Sequence, residues 1–291
     1  MAHKATLVFA PALLATGCAG HATRQPMPDI KGPLAVRVSS ESLDSWDTPF
    51  GVYRFPDTAV YVSGHQSERR ESTLAGLFGV GGGIMASAMA ASDSEAKTKD
   101  ARTHLAVDLR ALTEQMLAEA LARQSQPDRF VAANQSAVDS LELVPFAVVT
   151  FIGESRSRLW VGLKATLVDR GGKQRWKTRY HSGADMDRSL TGEGGWASDD
   201  GTIARDAIRR NLGRALDALL ADASASRSGR AARVIAQWVW FPQMYTREVE
   251  ILDESDDIVV VGMSGISGDS MIGGVNVLDK RSISLMPPAK K

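Results

Sequence analysis

The sequence predicts an α+β or α/β protein: a mixed sheet with two packed amphipathic helices, followed by an all-β C-terminal module. Three observations lead there. Apolar residues recur at helical spacing in two long segments, 100–124 and about 200–222. Between them, an almost unbroken apolar run is followed by strict alternation, the pattern of a buried central strand and its neighbour. Beyond the second helix only short strand-like runs remain, separated by Gly, Asp, Ser and Pro. Helices laid on a mixed sheet bury both kinds of apolar face.

The elements follow in chain order. "LAVRVS" (34–39) and "AVYVSG" (59–64) are short β-type runs parted by a turn-rich stretch with Asp44, Asp47, Pro49 and Pro56. In the first helix Leu105, Leu109, Leu112, Met116 and Ala120 share a face, and Pro127 closes the segment. "VPFAVVTFIG" (144–153) is the central strand. "RLWVGLKATLVD" (158–169) puts Leu159, Val161, Leu163, Ala165 and Leu167 on one face. "DRGGKQ" turns the chain, and "RWKTRYHS" (175–182) returns as the hairpin partner. A glycine-rich loop (183–198) leads to the second helix, with Asp199 or Asp200 as N-cap. Its stripe is Ile208, Leu212, Ala215, Leu216 and Leu219. "ASASRSGRAAR" (223–233) reads as a linker. Residues 234–291 form a small β module, or a set of hairpins added to the first sheet. The main α/β domain thus spans 34–222.

The 291 residues, 44% hydrophobic, allow a substantial core. Lysine plus arginine equals aspartate plus glutamate, 34 against 34, so no net field attracts nucleic acid. The single cysteine, Cys18, lies at the end of "MAHKATLVFAPALLATGCAG". Lys4 supplies a basic start, residues 5–16 a short apolar run, and Ala15, Thr16 and Gly17 small residues before the cysteine. This order resembles the lipobox signal peptide of bacterial lipoproteins, although Ala15 stands where that family prefers leucine. The resemblance covers the first twenty residues. It implies removal of 1–17, acylation of Cys18 and a membrane anchor, with residues 18–33 as a proline-rich tether. Ala19 after the cysteine implies the outer membrane, facing the periplasm. The rest of the chain is similar in outline to accessory lipoproteins of envelope secretion and transport systems, without a diagnostic motif.

"LAGLFGVGGGIMASAMAAS" (74–92) carries no charge. It lacks the lysine of a P-loop, and Ile84 stands where a dinucleotide loop needs glycine. Gly79, Gly83, Ser87 and Ala91 are small residues at a spacing of four, as in a glycine zipper. The segment is either a joint or an association element, through self-association, a protein partner or membrane contact. Arg175, Lys177 and Arg179 share a strand face, with Lys164 nearby across the ladder. That row is a solvated face or a site for anionic ligands. Trp176 and Tyr180 point the other way, into the core. Trp238 and Trp240 share a face that is either packed core or a sugar-stacking surface. No histidine pair has metal-ligand spacing, and no nucleophile elbow occurs. "DESDD" (253–257) lacks the pattern of a calcium loop and reads as a turn. The expectation is therefore a non-enzymatic envelope lipoprotein without cofactor or metal; the alternative is one that binds an envelope lipid or polysaccharide.

Overall fold

A computed structural model describes residues 26–41, 46–48, 51–53, 60–63, 101, 103–124, 127–131, 138–152, 155–224, 227–239, 244–263 and 273–288. The strands are β1 (Leu34–Val38), β2 (Trp46–Thr48), β3 (Gly51–Tyr53), β4 (Tyr61–Ser63), β5 (Phe130–Val131), β6 (Asp139–Phe151), β7 (Ser157–Val168) and β8 (Gln174–Ser182). The C-terminal strands are β9 (Arg230–Gln237), β10 (Met244–Glu254), β11 (Ile258–Met263), β12 (Gly274–Asp279) and β13 (Ser284–Met286). The helices are α1 (Leu109–Ala122) and α2 (Thr202–Ser224). One mixed sheet runs in the order β13-β9-β10-β11-β12-β8-β7-β6-β1-β5, with β4 also on β6.

The long strand β6 organises the sheet. Its first half pairs in parallel with β1, from Leu34↔Asp139 to Val38↔Leu143. Its second half pairs in parallel with β4, from Tyr61↔Val148 to Ser63↔Thr150. Along the other edge β7 runs antiparallel, and β8 continues the expected hairpin. The turn is built as the sequence suggests: Asp169 Oδ1 accepts from the N–H groups of Gly171 and Lys173, and Gly172 takes φ 80°.

Alternation then sorts side chains into two cores. Leu141, Leu143, Leu159, Leu163, Leu167, Trp176 and Tyr180 face the helices. Phe146, Val148 and Trp160 face the opposite way and pack with Val234, Ala236, Val249, Ile251, Val259 and Val261 of the C-terminal strands. The sheet therefore curls so that β9–β11 cover the face that the helices leave open. Of the two expectations for 234–291, added hairpins describe the result. They join the first sheet through the parallel pair β12–β8, Val275↔Tyr180 to Val277↔Ser182. The expected linker 223–233 contributes the end of α2 and the start of β9.

Three local expectations are corrected. Helix α1 starts at Leu109, with Asp108 Oδ1 accepting from Ala111 N–H at 2.9 Å; Ala101, Thr103 and His104 are also helical, but 105–108 interrupt the run, so 100–124 is not one continuous helix. Its buried face is Leu109, Thr113, Leu117 and Ala120; Leu112 and Met116 are only half-buried. The rotation rests on Thr113, whose hydroxyl donates to Leu109 O at 2.5 Å and so enters the core satisfied. At α2, Asp199 and Asp200 are not helical caps. They and Gly201 take φ 51°, 54° and 76° before the helix begins at Thr202. Gly201 is required there, because a Cβ would lie 1.9 Å from His104 O. The tether is also shorter than expected: Met27 and Ile30 are buried in the main core.

The α2 stripe is as read, with Ile208, Leu212, Ala215, Leu216 and Leu219 all buried. Leu212→Ala should cost about 2–5 kcal/mol and Leu112→Ala clearly less, measured by urea unfolding. Equal losses would show that α1 presents its leucines to the core as the simple stripe predicts.

Candidate functional site

The curled side of the sheet and the end of α2 hold several of the buried polar and charged side chains. Arg179 and His181 point from β8 into the face covered by the C-terminal strands, and both are buried. Lys164 is the direct ladder partner of Arg179, as expected. The row Arg175, Lys177 and Arg179 is not a uniform exposed surface. Lys177 is exposed, and Arg175 lies 3.8 Å from Asp139 at the start of β6. Arg179 is enclosed, with Gly274 packed against its carbonyl so closely that a Cβ would lie 2.2 Å away. Any anionic ligand for this face would meet only its outer end.

His181 has the residue type for proton transfer but not the setting. It is fully buried, its ring edge-on to Phe146 with centroids 5.7 Å apart. Burial, and next the charge of Arg179, lower its pKa from 6.5 to about 3. It stays neutral near pH 7 and is screened from solvent-borne substrates. The exposed His104 instead bonds Asp200, Nδ1 to Oδ1 at 2.9 Å, which holds the Asp200 carboxyl below its usual range.

Trp238 is buried, and its Nε1–H donates to Tyr245 O at 3.0 Å. It belongs to the second core, so the sugar-stacking alternative loses this residue. Trp240 lies outside the described residues, as do Cys18, Gly79, Gly83, Ser87 and Ala91. Among the described residues, no group of three or more His, Cys, Asp or Glu side chains is placed to hold a metal ion. No described helix is long and apolar enough to cross a membrane.

Three polar clusters escaped the sequence reading. Arg129 donates from Nη1 to Ile30 O and Gly32 O, each at 2.6 Å, and from Nε and Nη2 to Ala223 O. One guanidinium thus ties the segment before β1 to the last turn of α2. Asp222, buried in that turn, accepts from Tyr180 Oη at 2.9 Å and from Arg227 Nε at 2.7 Å. In the loop 183–198, Asp187 accepts a bidentate pair from the buried Arg158, at 2.6 and 3.1 Å. That loop is also pinned by Trp196, whose Nε1–H donates to Ser157 O at 3.2 Å. Apart from Asp222–Arg227, five residues apart, each contact joins residues far apart in sequence.

These clusters fasten the fold at its two ends and leave the sheet register fixed. No protein-family model matches the chain, and no curated protein matches it. Among solved structures, a Caulobacter crescentus CB15 chain described as a "putative lipoprotein" is similar at 18% identity. The likeness covers 39% of this chain and 80% of that one, with a TM-score of 0.26, too low to establish a shared fold.

Proposed function

We propose that the protein is a non-enzymatic lipoprotein anchored through Cys18, an accessory or assembly component of an envelope transport or secretion complex. It faces the periplasm from the outer membrane. The observation that carries this reading is the order of basic residue, short apolar run, small residues and cysteine at 4–18. Acylation there supplies more hydrocarbon than stable anchoring needs. Fully extended, the chain between Cys18 and the buried Met27 spans at most ~30 Å, so the folded part stays close to the bilayer.

The sheet gives the reading a direction. The chain enters at Leu34, beside Asp139 at the start of β6. Ser63, the last described residue before 64–100, pairs with Thr150 at the far end of the same strand. The chain is next described at Ala101, a few residues before His104, whose carbonyl packs on Gly201 at the start of α2. That helix start lies beyond the same far end, since Ser182 at the end of β8 bonds Asn211 in the helix's first half. Ser63 and Ala101, the described residues on either side of 64–100, are thus displaced from Leu34 by most of β6, about 36 Å at ~3.3 Å per residue. Association is the role proposed for Gly79, Gly83, Ser87 and Ala91, small residues at a spacing of four in an uncharged segment.

Cys18→Ser should move the protein from the membrane fraction to the soluble fraction and abolish the mass increase of the wild type. Unchanged fractionation with no mass increase on wild type would sink the anchor. Replacing 74–92 by a Gly/Ser linker of equal length should leave the melting temperature nearly unchanged while crosslinking to partners or copies falls. Collapse of the fold would place the segment in the core; undiminished crosslinking would leave it a joint.

A further inference from the structure

The second core contains two polar atoms that its apolar neighbours do not explain. Thr150 Oγ1 on β6 and Trp160 Nε1 on β7 are buried, and neither has a hydrogen-bond partner among the described residues. Both side chains stand on the face covered by the C-terminal strands. The register makes them diagonal neighbours: Thr150 pairs with Arg158, and Val148 pairs with Trp160. The indole is oriented by Gly183, which follows β8 beside Trp160. A Cβ on Gly183 would lie 2.5, 2.6 and 2.7 Å from Cε3, Cδ2 and Cζ3 of the indole, so the ring lies over the glycine.

Two buried polar groups left unmade would be desolvated with no return, and native cores rarely leave such groups unexplained. The groups are chemically matched to one small bridging partner. Trp160 Nε1 only donates, whereas the Thr150 hydroxyl both donates and accepts. We infer that Thr150 and Trp160 hold a buried water molecule between β6 and β7, which accepts from the indole N–H and is hydrogen-bonded by the hydroxyl. Two polar partners are the minimum that keeps a water in a protein interior. The setting is polar for a core: Arg158, His181 and Asn276 are buried on the same sheet face. This site is separate from the anchor and does not rest on the proposed function.

The water fixes the sign of a substitution. Thr150→Val keeps the shape of the side chain and deletes the hydroxyl. With the water present, the variant strands it with one partner fewer, and the melting temperature of the full-length chain should fall by roughly 2–4 °C. Without the water, the same change removes an unpaired buried hydroxyl, and the melting temperature should hold or rise. The second measurement is water–protein cross-relaxation at the Trp160 indole proton by NMR, assigned with Trp160→Phe. A cross-peak to a long-lived water is expected in the wild type. A Thr150→Val chain that melts no lower, or a wild type without that cross-peak, overturns the inference.

Discussion

The native chain should lose stability as pH falls from about 6.5 toward 3, and a His181→Gln variant should lose much less. His181 has a folded pKa of about 3 against 6.5 for the free side chain, mainly through burial and then through Arg179. Below pH 6.5 the unfolded chain takes up a proton that the folded chain refuses. The unfolded state is then the one with more bound protons, so stability rises with pH across this window and is level above it. At 1.36 kcal/mol per pH unit, the loss is about 2 kcal/mol by pH 5 and ~4–5 kcal/mol at the limit near pH 3. Asp279 is held low chiefly by its hydrogen bond from Arg281, Glu254 by Lys280 and Asp200 by His104. These carboxylates add their own acid losses only as pH falls to and below the ordinary carboxylate range. The interval from pH 6.5 to 5 therefore reports mostly on His181. Urea unfolding at several pH values separates the cases. The variant's intercept at pH 7.5 is free to differ, because glutamine packs differently against Phe146. Parallel slopes for wild type and variant would mean that His181 is protonated normally in the folded protein.

What the sequence made legible follows the range over which each feature is encoded. The β7–β8 hairpin was readable because alternation, a Gly-Gly turn and Asp169 are all local. Period two also placed Arg175, Lys177 and Arg179 on the face opposite Trp176 and Tyr180. It did not tell that Arg179 is buried, since that depends on strands fifty and more residues away curling over the sheet. The α1 stripe was right at Leu105, Leu109 and Ala120 but off by one residue in the middle turns, because a hydrophobic reading discards Thr113, which the helix itself satisfies. Asp199 and Asp200 look like caps by residue type. Their left-handed backbone follows from the approach of His104 O to Gly201, a tertiary fact. The C-terminal strands were visible singly, but their union with the first sheet depends on a parallel pairing that leaves no local trace.

The end of α2 is where a single substitution should cost most. Asp222 is 4% exposed, bonded to Tyr180 Oη and to Arg227 Nε, and Arg227 Nη2 also donates to Ala218 O. The carboxylate thus joins β8, the last helical turn and the chain leaving it. Truncating it takes the carboxylate partner from a largely buried guanidinium and an acceptor from a buried phenol hydroxyl, which is far worse than never having had the pair. Asp222→Ala should lose about 3–5 kcal/mol in urea unfolding. Tyr180→Phe removes one hydrogen bond and should lose about 1 kcal/mol. Asp222→Asn keeps an acceptor for the phenol while dropping the charge, and should fall between. The double variant Asp222→Ala, Arg227→Ala should be less damaged than the sum of its parts, because the second change removes the charge that the first left exposed to the core. Additive losses would mean that the two side chains do not act as a pair. The consequence reaches the anchor side of the fold. The next residue, Ala223, offers its carbonyl to Arg129, which also grips Ile30 and Gly32. A frayed α2 end should therefore loosen the segment that leads to Cys18. Limited proteolysis in Asp222→Ala should then cut first between residues 26 and 33, and protection there equal to wild type would show that Arg129 holds that segment without the helix end.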